Sequence, residues 1–192
     1  MSGIVLIRHG RTEANERRLY CGSTDLPLCE AGRRELMALR PCYPPLRDHR
    51  FVTSGMRRTD ETLALLFGGV PFEREPRLRE IDLGVFEMRS YEELKDDPDY
   101  QVWLAGDNET NVPPDGESGE DMKRRALAAF RELQSAGRDT VIVTHGGVIA
   151  AVMETLFPAA GRNRYEWQPA PGRGYILRDG GFAPFPPKEA GA

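Results

Sequence analysis

The chain is poor in the residues that build special frameworks. Its 192 residues include only three cysteines, three histidines and two tryptophans. Cys21, Cys29 and Cys42 are odd in number and irregularly spaced, which suits neither a disulfide framework nor a paired zinc knuckle, so reduced thiols in a cytosol are expected. Long apolar runs are missing as well. The run Ile4 to Ile7 is far shorter than a signal-peptide core or the roughly 20 residues a membrane helix requires, so neither a leader nor a span is expected, and the expected location is cytoplasmic. There is no excess of positive charge: 26 Lys and Arg face 30 Asp and Glu, for a net charge of −4. Nonspecific affinity for nucleic acid or anionic membrane comes from neutralising phosphates with surplus Lys and Arg, so neither is an expected partner. No repeat and no internal linker is visible. One domain over residues 1–192 is expected, with about 182–192 as a Pro-rich C-terminal tail. Apolar residues at 40% and charged residues at 29% are ordinary for a globular chain. Asn108-Glu109-Thr110 has the form of a glycosylation acceptor, a triplet that arises by chance and means nothing in a chain that is not secreted.

What is present is an alternation of strands and helices. Gly3 to Arg8 and Asp139 to Thr144 are short, continuously apolar and β-branched, the pattern of strands buried on both faces. Phe51 to Ser54 reads as a third strand, Val70 to Arg74 as a weak edge strand and Gly174 to Leu177 as a late one. Helical spacing occupies Ala31 to Leu39, Arg57 to Phe67, Tyr91 to Lys95, Ser118 to Leu133 and Val148 to Phe157. This predicts an α/β three-layer sandwich, a mainly parallel central sheet with helices on both faces. Asp96, Asp97 and Asp99 lack any EF-hand spacing and read as a solvated acidic face.

Two of the three histidines occupy the same local position, in Ile7-Arg8-His9-Gly10 and Val143-Thr144-His145-Gly146. Each lies just past the carboxyl end of a predicted buried strand, where open parallel sheets bind their ligands. Burying two imidazoles, each followed by Gly, has no packing rationale, whereas His49 between Asp48 and Arg50 reads as structural. Arg8 flanks His9, and Thr12, Glu13 and Asn15 are suited to opening a helix whose free N–H groups favour an anion. A guanidinium beside such a turn suits phosphate, because its planar fork matches two phosphate oxygens at once. Arg57 and Arg58 after the third strand are a further, weaker candidate.

These residues resemble the histidine phosphatase superfamily, also called phosphoglycerate mutase-like. Arg8-His9-Gly10 with Thr12 and Asn15 is similar to its signature. Ser54-Gly55-Met56-Arg57-Arg58-Thr59-Asp60-Glu61-Thr62 resembles its Ser-Pro-Leu-x-Arg-Ala-x-x-Thr block, with Gly55 in place of Pro and with Arg58, not Arg57, as the second phosphate arginine. Leu78 to Gly84 resembles the segment with the acid/base carboxylate, here Glu80. Gly116-Glu117-Ser118 through Arg125 and Val143 to Gly147 complete a likeness over about residues 3 to 157. The resemblance implies catalytic His9, Glu80 and His145, phosphate-binding Arg8, Asn15 and Arg58, and no metal or other cofactor.

It further implies a phosphohistidine mechanism on a small phosphorylated metabolite. His9 attacks phosphorus as the neutral imidazole, Arg8, Arg58 and His145 stabilise the equatorial oxygens, and Glu80 protonates the leaving alcohol and later deprotonates water. The rival arrangement of the same residues is a two-histidine, one-carboxylate iron site, which two adjacent arginines oppose. Ile81 to Met88 is similar to the phosphatase pattern Asp-x-Gly-x-Trp-Glu-Gly rather than the mutase stretch, with Phe86 and Met88 departing from its Trp and Gly. Tyr20 to Leu28 and Pro113 to Ser118 resemble segments of small bacterial members that include α-ribazole phosphatases of cobalamin assembly, which brings Cys21 and Gly22 toward the substrate. Cys21 also reads as a small buried thiol. Phosphoglycerate mutase-type transfer and a feebly active phospho-ligand recognition module are the alternatives.

Overall fold

A computed structural model describes residues 3–46, 48–106 and 109–187. Asn108 of the acceptor triplet lies outside the described residues. In chain order the elements are β1 (Ile4–Arg8), α1 (Glu13–Arg17), α2 (Glu30–Leu39), β2 (Arg50–Thr53), α3 (Arg57–Phe67), β3 (Glu73–Arg74), α4 (Tyr91–Leu94), α5 (Pro98–Leu104), α6 (Gly119–Ser135), β4 (Thr140–Thr144), α7 (Gly146–Leu156), α8 (Arg164–Trp167), β5 (Gly174–Arg178) and β6 (Gly181–Phe185). The strands form one sheet in the order β3-β2-β4-β1-β5-β6. The pairings β3/β2, β2/β4 and β4/β1 are parallel, and β5 and β6 close one edge antiparallel.

The alternation of side chains along each strand sorts the core into two layers. Ile4, Leu6, Val52 and Ile142 face α6, α7 and Trp167 of α8, while Val5, Ile7, Phe51, Val141 and Val143 face α2 and α3. Helices thus cover both faces, which is why β1 and β4 are apolar at successive positions. Each fully buried Leu, Ile or Val in these layers contributes about 1.5–3 kcal/mol of transfer free energy.

The sheet is α/β and mainly parallel, as expected, and three segments differ from the sequence reading. Residues 182–185, read as the start of a tail, belong to β6, an edge strand registered on β5 from Gly174↔Phe185 to Arg178↔Gly181. An edge strand accommodates Pro184 because its missing N–H costs no ladder bond when it points outward. Asp97 is the N-cap of α5, its carboxylate accepting from Asp99 N at 3.1 Å and pairing with Arg89, so part of the acidic face caps a helix. A short α8 lies between the helix after β4 and the late strand, where the sequence reading places no element.

Candidate active site

The register of the two central strands builds the site. β1 and β4 run parallel with Arg8 opposite Thr144, so the next residues, His9 and His145, emerge side by side at the carboxyl edge of the sheet. His9 N donates to Thr144 O at 2.9 Å, and the rings meet edge to face with centroids 5.1 Å apart. Both imidazoles are buried. His9 Nδ1 lies 2.7 Å from Gly10 O, and a carbonyl can only accept, so Nδ1 carries the proton and Nε2 keeps its lone pair. Burial first, then Arg58 and Arg8, hold His9 well below its ordinary titration range. Its ring is therefore a neutral base with one fixed tautomer.

Two guanidiniums flank the pair. Arg8, the last residue of β1, donates through one terminal nitrogen to Pro169 O at 2.9 Å, while its buried Nε has no hydrogen-bond partner. A buried N–H left unpaired costs about 1–3 kcal/mol, so it marks a place where an oxygen acceptor belongs. Arg58, on the first turn of α3, is almost wholly buried and uses three nitrogens: Nε donates to His145 Nδ1 at 3.3 Å and the terminal nitrogens to Thr24 O at 2.8 Å and Gly22 O at 2.6 Å. Burial lowers the proton affinity of both arginines, opposed at Arg8 by Glu80 and at Arg58 by Cys21, Glu80, Asp25 and Glu87. The site is thus cationic at its centre and ringed by carboxylates.

Glu80 is held from three sides. Thr144 Oγ1 donates to Leu78 O at 2.7 Å, and Arg125 donates to the carbonyls of Arg77, Arg79 and Glu80 at 2.8, 2.6 and 3.0 Å while pairing with Glu117. Gly147, at the start of α7, donates its N–H to Glu80 Oε2 at 2.9 Å, and Ile81 N to Oε1 at 3.1 Å. A Cβ at position 147 would lie 2.4 Å from Glu80 Oε1 and 3.1 Å from Cδ. Gly147→Ala is therefore expected to push the carboxylate out of place and lower kcat on an alkyl phosphate by ~10²-fold, with a smaller loss on an aryl phosphate, in steady-state phosphate release.

The remaining candidate residues serve the loops. Asn15 is exposed and its Oδ1 accepts from Thr12 N at 3.0 Å and Thr12 Oγ1 at 3.1 Å, which leaves Nδ2 as the only group it can offer an anion. Gly22 lies at the site, but its backbone is committed: the carbonyl holds Arg58, and the N–H donates to Glu87 at 2.9 and 3.1 Å. A Cβ there would sit 1.6 Å from Ile81 O, so only Gly fits. Half-buried Cys21 points Sγ at Thr24 O, 3.7 Å away, and burial raises its titration. Gly55 has φ +79°, which a proline ring forbids, so the turn after β2 departs in shape as well as in sequence from the Ser-Pro-Leu pattern. Phe86 is wholly buried against Tyr100 and Trp103, and Met88 takes the left-handed φ of 60° that its Gly counterpart would adopt freely.

Three residues at the site escaped the sequence reading. Glu87 accepts from the backbone N–H groups of Gly22, Ser23 and Thr24 at 2.8–3.3 Å and from Thr24 Oγ1 at 2.7 Å, filling a nest of amides with the chain's own carboxylate. Thr59 and Ser54 carry the hydrogen bonds that hold His145, Ser54 Oγ lying 2.8 Å from its Nε2. All three fall inside quoted motif blocks, and each contact closes a loop of the fold rather than a helical or strand repeat.

A parallel sheet presenting two buried histidines, two guanidiniums and a carboxylate at its carboxyl edge defines an enzyme of phosphoryl transfer. Residues 4–178 match the histidine phosphatase superfamily (branch 1), and the chain belongs to that family. It is 30% identical over 162 residues to the probable phosphoglycerate mutase GpmB of Cronobacter sakazakii, an alignment covering 81% of this chain and 75% of that one. The solved structure of YhfR from Bacillus stearothermophilus superposes with a TM-score of 0.79 at 29% identity, covering 95% of each chain. The α-ribazole phosphatase of Shigella flexneri shares the fold, with a TM-score of 0.80 at 23% identity over 94% of this chain and 93% of that one. Among the described residues no helix is long and apolar enough to cross a membrane.

Proposed function

We propose that the protein is a phosphomonoesterase that hydrolyses a small phosphorylated metabolite through a phosphohistidine on His9. The observation that carries this reading is His9 itself: Nδ1 is tied to Gly10 O, so Nε2 is a bare nucleophile beside the unpaired Nε of Arg8 and the fork of Arg58. Nε2 attacks phosphorus in line, the bond to the ester oxygen breaks, and the carboxyl of Glu80 gives its proton to the departing alcohol. Water then attacks the phosphohistidine, Glu80 takes its proton, and inorganic phosphate leaves with the His9–phosphorus bond broken. Charge on the equatorial oxygens is met by Arg8 and Arg58, the role a divalent ion plays in other phosphoryl-transfer sites. His145 has both ring nitrogens engaged, with Ser54 and Arg58, which opposes an iron-binding role for it. Full activity in excess chelator is the corresponding result.

Phosphoglycerate mutase-type transfer is the second reading, supported by the name of the Cronobacter relative. Against it, a phosphoglycerate carries a carboxylate that needs donors beside the phosphate, and the amides of Gly22, Ser23 and Thr24 are occupied by Glu87. The Shigella neighbour makes α-ribazole phosphate the first metabolite to assay. The test is phosphate release from an aryl phosphate and from a metabolite panel that includes α-ribazole phosphate, phosphoglycerates and sugar phosphates. Release to water, inhibited by vanadate, is expected; isomerisation of phosphoglycerate without phosphate release would establish the mutase, and equal trace rates in wild type and His9→Ala a binding module. Glu80→Gln is expected to cost ~10²–10³-fold on alkyl phosphates and much less on aryl phosphates, whose leaving groups need no proton. An equal loss on both classes would contradict the acid role.

A further inference from the structure

The protons around His145 are ordered by a chain of hydroxyls that ends on a carbonyl. Thr59 Oγ1 donates to Met56 O at 2.7 Å, so toward Ser54 it can only accept. Ser54 Oγ, 3.1 Å away, must give Thr59 its single proton, and toward His145 Nε2 at 2.8 Å it can in turn only accept. Nε2 therefore carries the hydrogen. Nδ1 is left with a lone pair, which accepts from Arg58 Nε at 3.3 Å. A second proton on Nδ1 would point at that guanidinium N–H. The charged and titratable groups around the ring are Arg58 from α3, His9 and Arg8 from the end of β1, Arg125 from α6, and Glu80, whose carboxylate shares the first turn of α7 with it. Burial and the four basic neighbours keep the ring neutral.

In this arrangement His145 has no hydrogen to offer a phosphate oxygen. A phosphomonoester dianion, which has no P–O–H, entering beside Arg8 and Arg58 would set an oxygen lone pair against the Nδ1 lone pair. A monoanion has a P–O–H that donates to Nδ1, and frees the Arg58 Nε–H for another phosphate oxygen. A dianion that binds while Nδ1 takes a proton from solvent yields a complex of the same composition. We propose that the site takes its phosphoryl ligand together with one proton, which lies between a phosphate oxygen and Nδ1 of His145. The proposal rests on reading this pocket as the phosphate site, and it adds the protonation state of the bound ligand. Affinity then falls about tenfold per pH unit once the free ligand is a dianion, because each binding event must draw a proton from solvent.

Two measurements test it. In wild-type protein without ligand, long-range ¹⁵N–¹H correlation is expected to show His145 as the Nε2–H tautomer; an Nδ1–H tautomer would overturn the proposal without any variant. Calorimetry of methylphosphonate binding at about pH 9, in buffers of different ionisation heat, counts protons taken up where the free ligand is a dianion with no P–O–H of its own. Glu80→Gln, which removes the other ionisable side chain facing the ligand, is expected to take up about one proton per methylphosphonate, and Glu80→Gln/His145→Gln far less. Uptake that survives His145→Gln overturns the assignment to His145. Absence of methylphosphonate binding in wild type overturns the phosphate-site reading itself, and with it the proposal.

Discussion

His9→Ala is expected to lower kcat on an aryl phosphate by ~10⁴-fold or more, because it removes the atom to which the phosphoryl group is transferred and leaves water to attack directly. The backbone of the variant is undisturbed on energetic grounds: His9 N keeps its bond to Thr144 O, and among the described residues the side chain's hydrogen bond is to its neighbour Gly10. Rapid-quench labelling in alkali, which preserves phosphohistidine, is expected to find labelled phosphate on the wild type and none on His9→Ala. A comparable burst of labelled protein in the variant would place the nucleophile elsewhere. The pH profile carries the same chemistry. His9 is held well below its ordinary range by burial and by Arg58 and Arg8, so activity persists below the ordinary imidazole titration and fails only when Nε2 is protonated at still lower pH. The linked effect on stability has the same direction. Unfolding returns His9 and His145 to an ordinary pKa near ~6.5, so the unfolded chain binds more protons between the lowered values and that one, and stability falls as pH falls through this window.

Arg58→Met is expected to cost ~10³-fold or more in kcat/KM, the range seen when a single transition-state arginine is removed. Here the loss has a structural half as well. Gly22 O, Thr24 O and His145 Nδ1 each lose a donor, and the loop that Glu87 grips from the other side loses its second anchor. Thr24 O keeps the N–H of Leu26, but the buried Gly22 O left unpaired costs about 1–3 kcal/mol, which thermal unfolding would read as a fall in Tm. Arg58→Lys is expected to recover little, because one ammonium cannot reach three acceptors that a planar fork meets together. Full activity in the lysine variant would show that charge alone, without geometry, is what the position supplies.

How far the sequence anticipates this site depends on the range of the contact. The two central strands were legible because burial on both faces makes them continuously apolar, and their ends located His9 and His145 without any comparison. The helix Arg57–Phe67 was legible because a single amphipathic repeat fills it. Glu80 was reachable only through family resemblance: nothing local distinguishes it from Glu75 or Glu87, and it becomes special where Gly147, 67 positions away, meets its carboxylate. Glu87 was missed for the same reason, since its partners are loop amides that no periodicity announces. The strand Gly181–Phe185 was hidden by its prolines, which a sheet edge tolerates and a sheet centre does not. Asp97-Pro98 did carry a local signal, an N-cap followed by proline at the first helical position, which the run of acidic residues masked.

The pairing of β1 with β4 sets Ile4 against Thr140, 136 positions apart, and it is this pairing that brings the two imidazoles together. Nucleophile and partner therefore meet only after this long loop has closed, a step whose entropy must be spent before the non-local contacts repay it. A partly folded chain, however helical, contains His9 without His145. Catalysis is thus a reporter of long-range topology, and during refolding its return marks the docking of β4 on β1 rather than the early collapse of the helices.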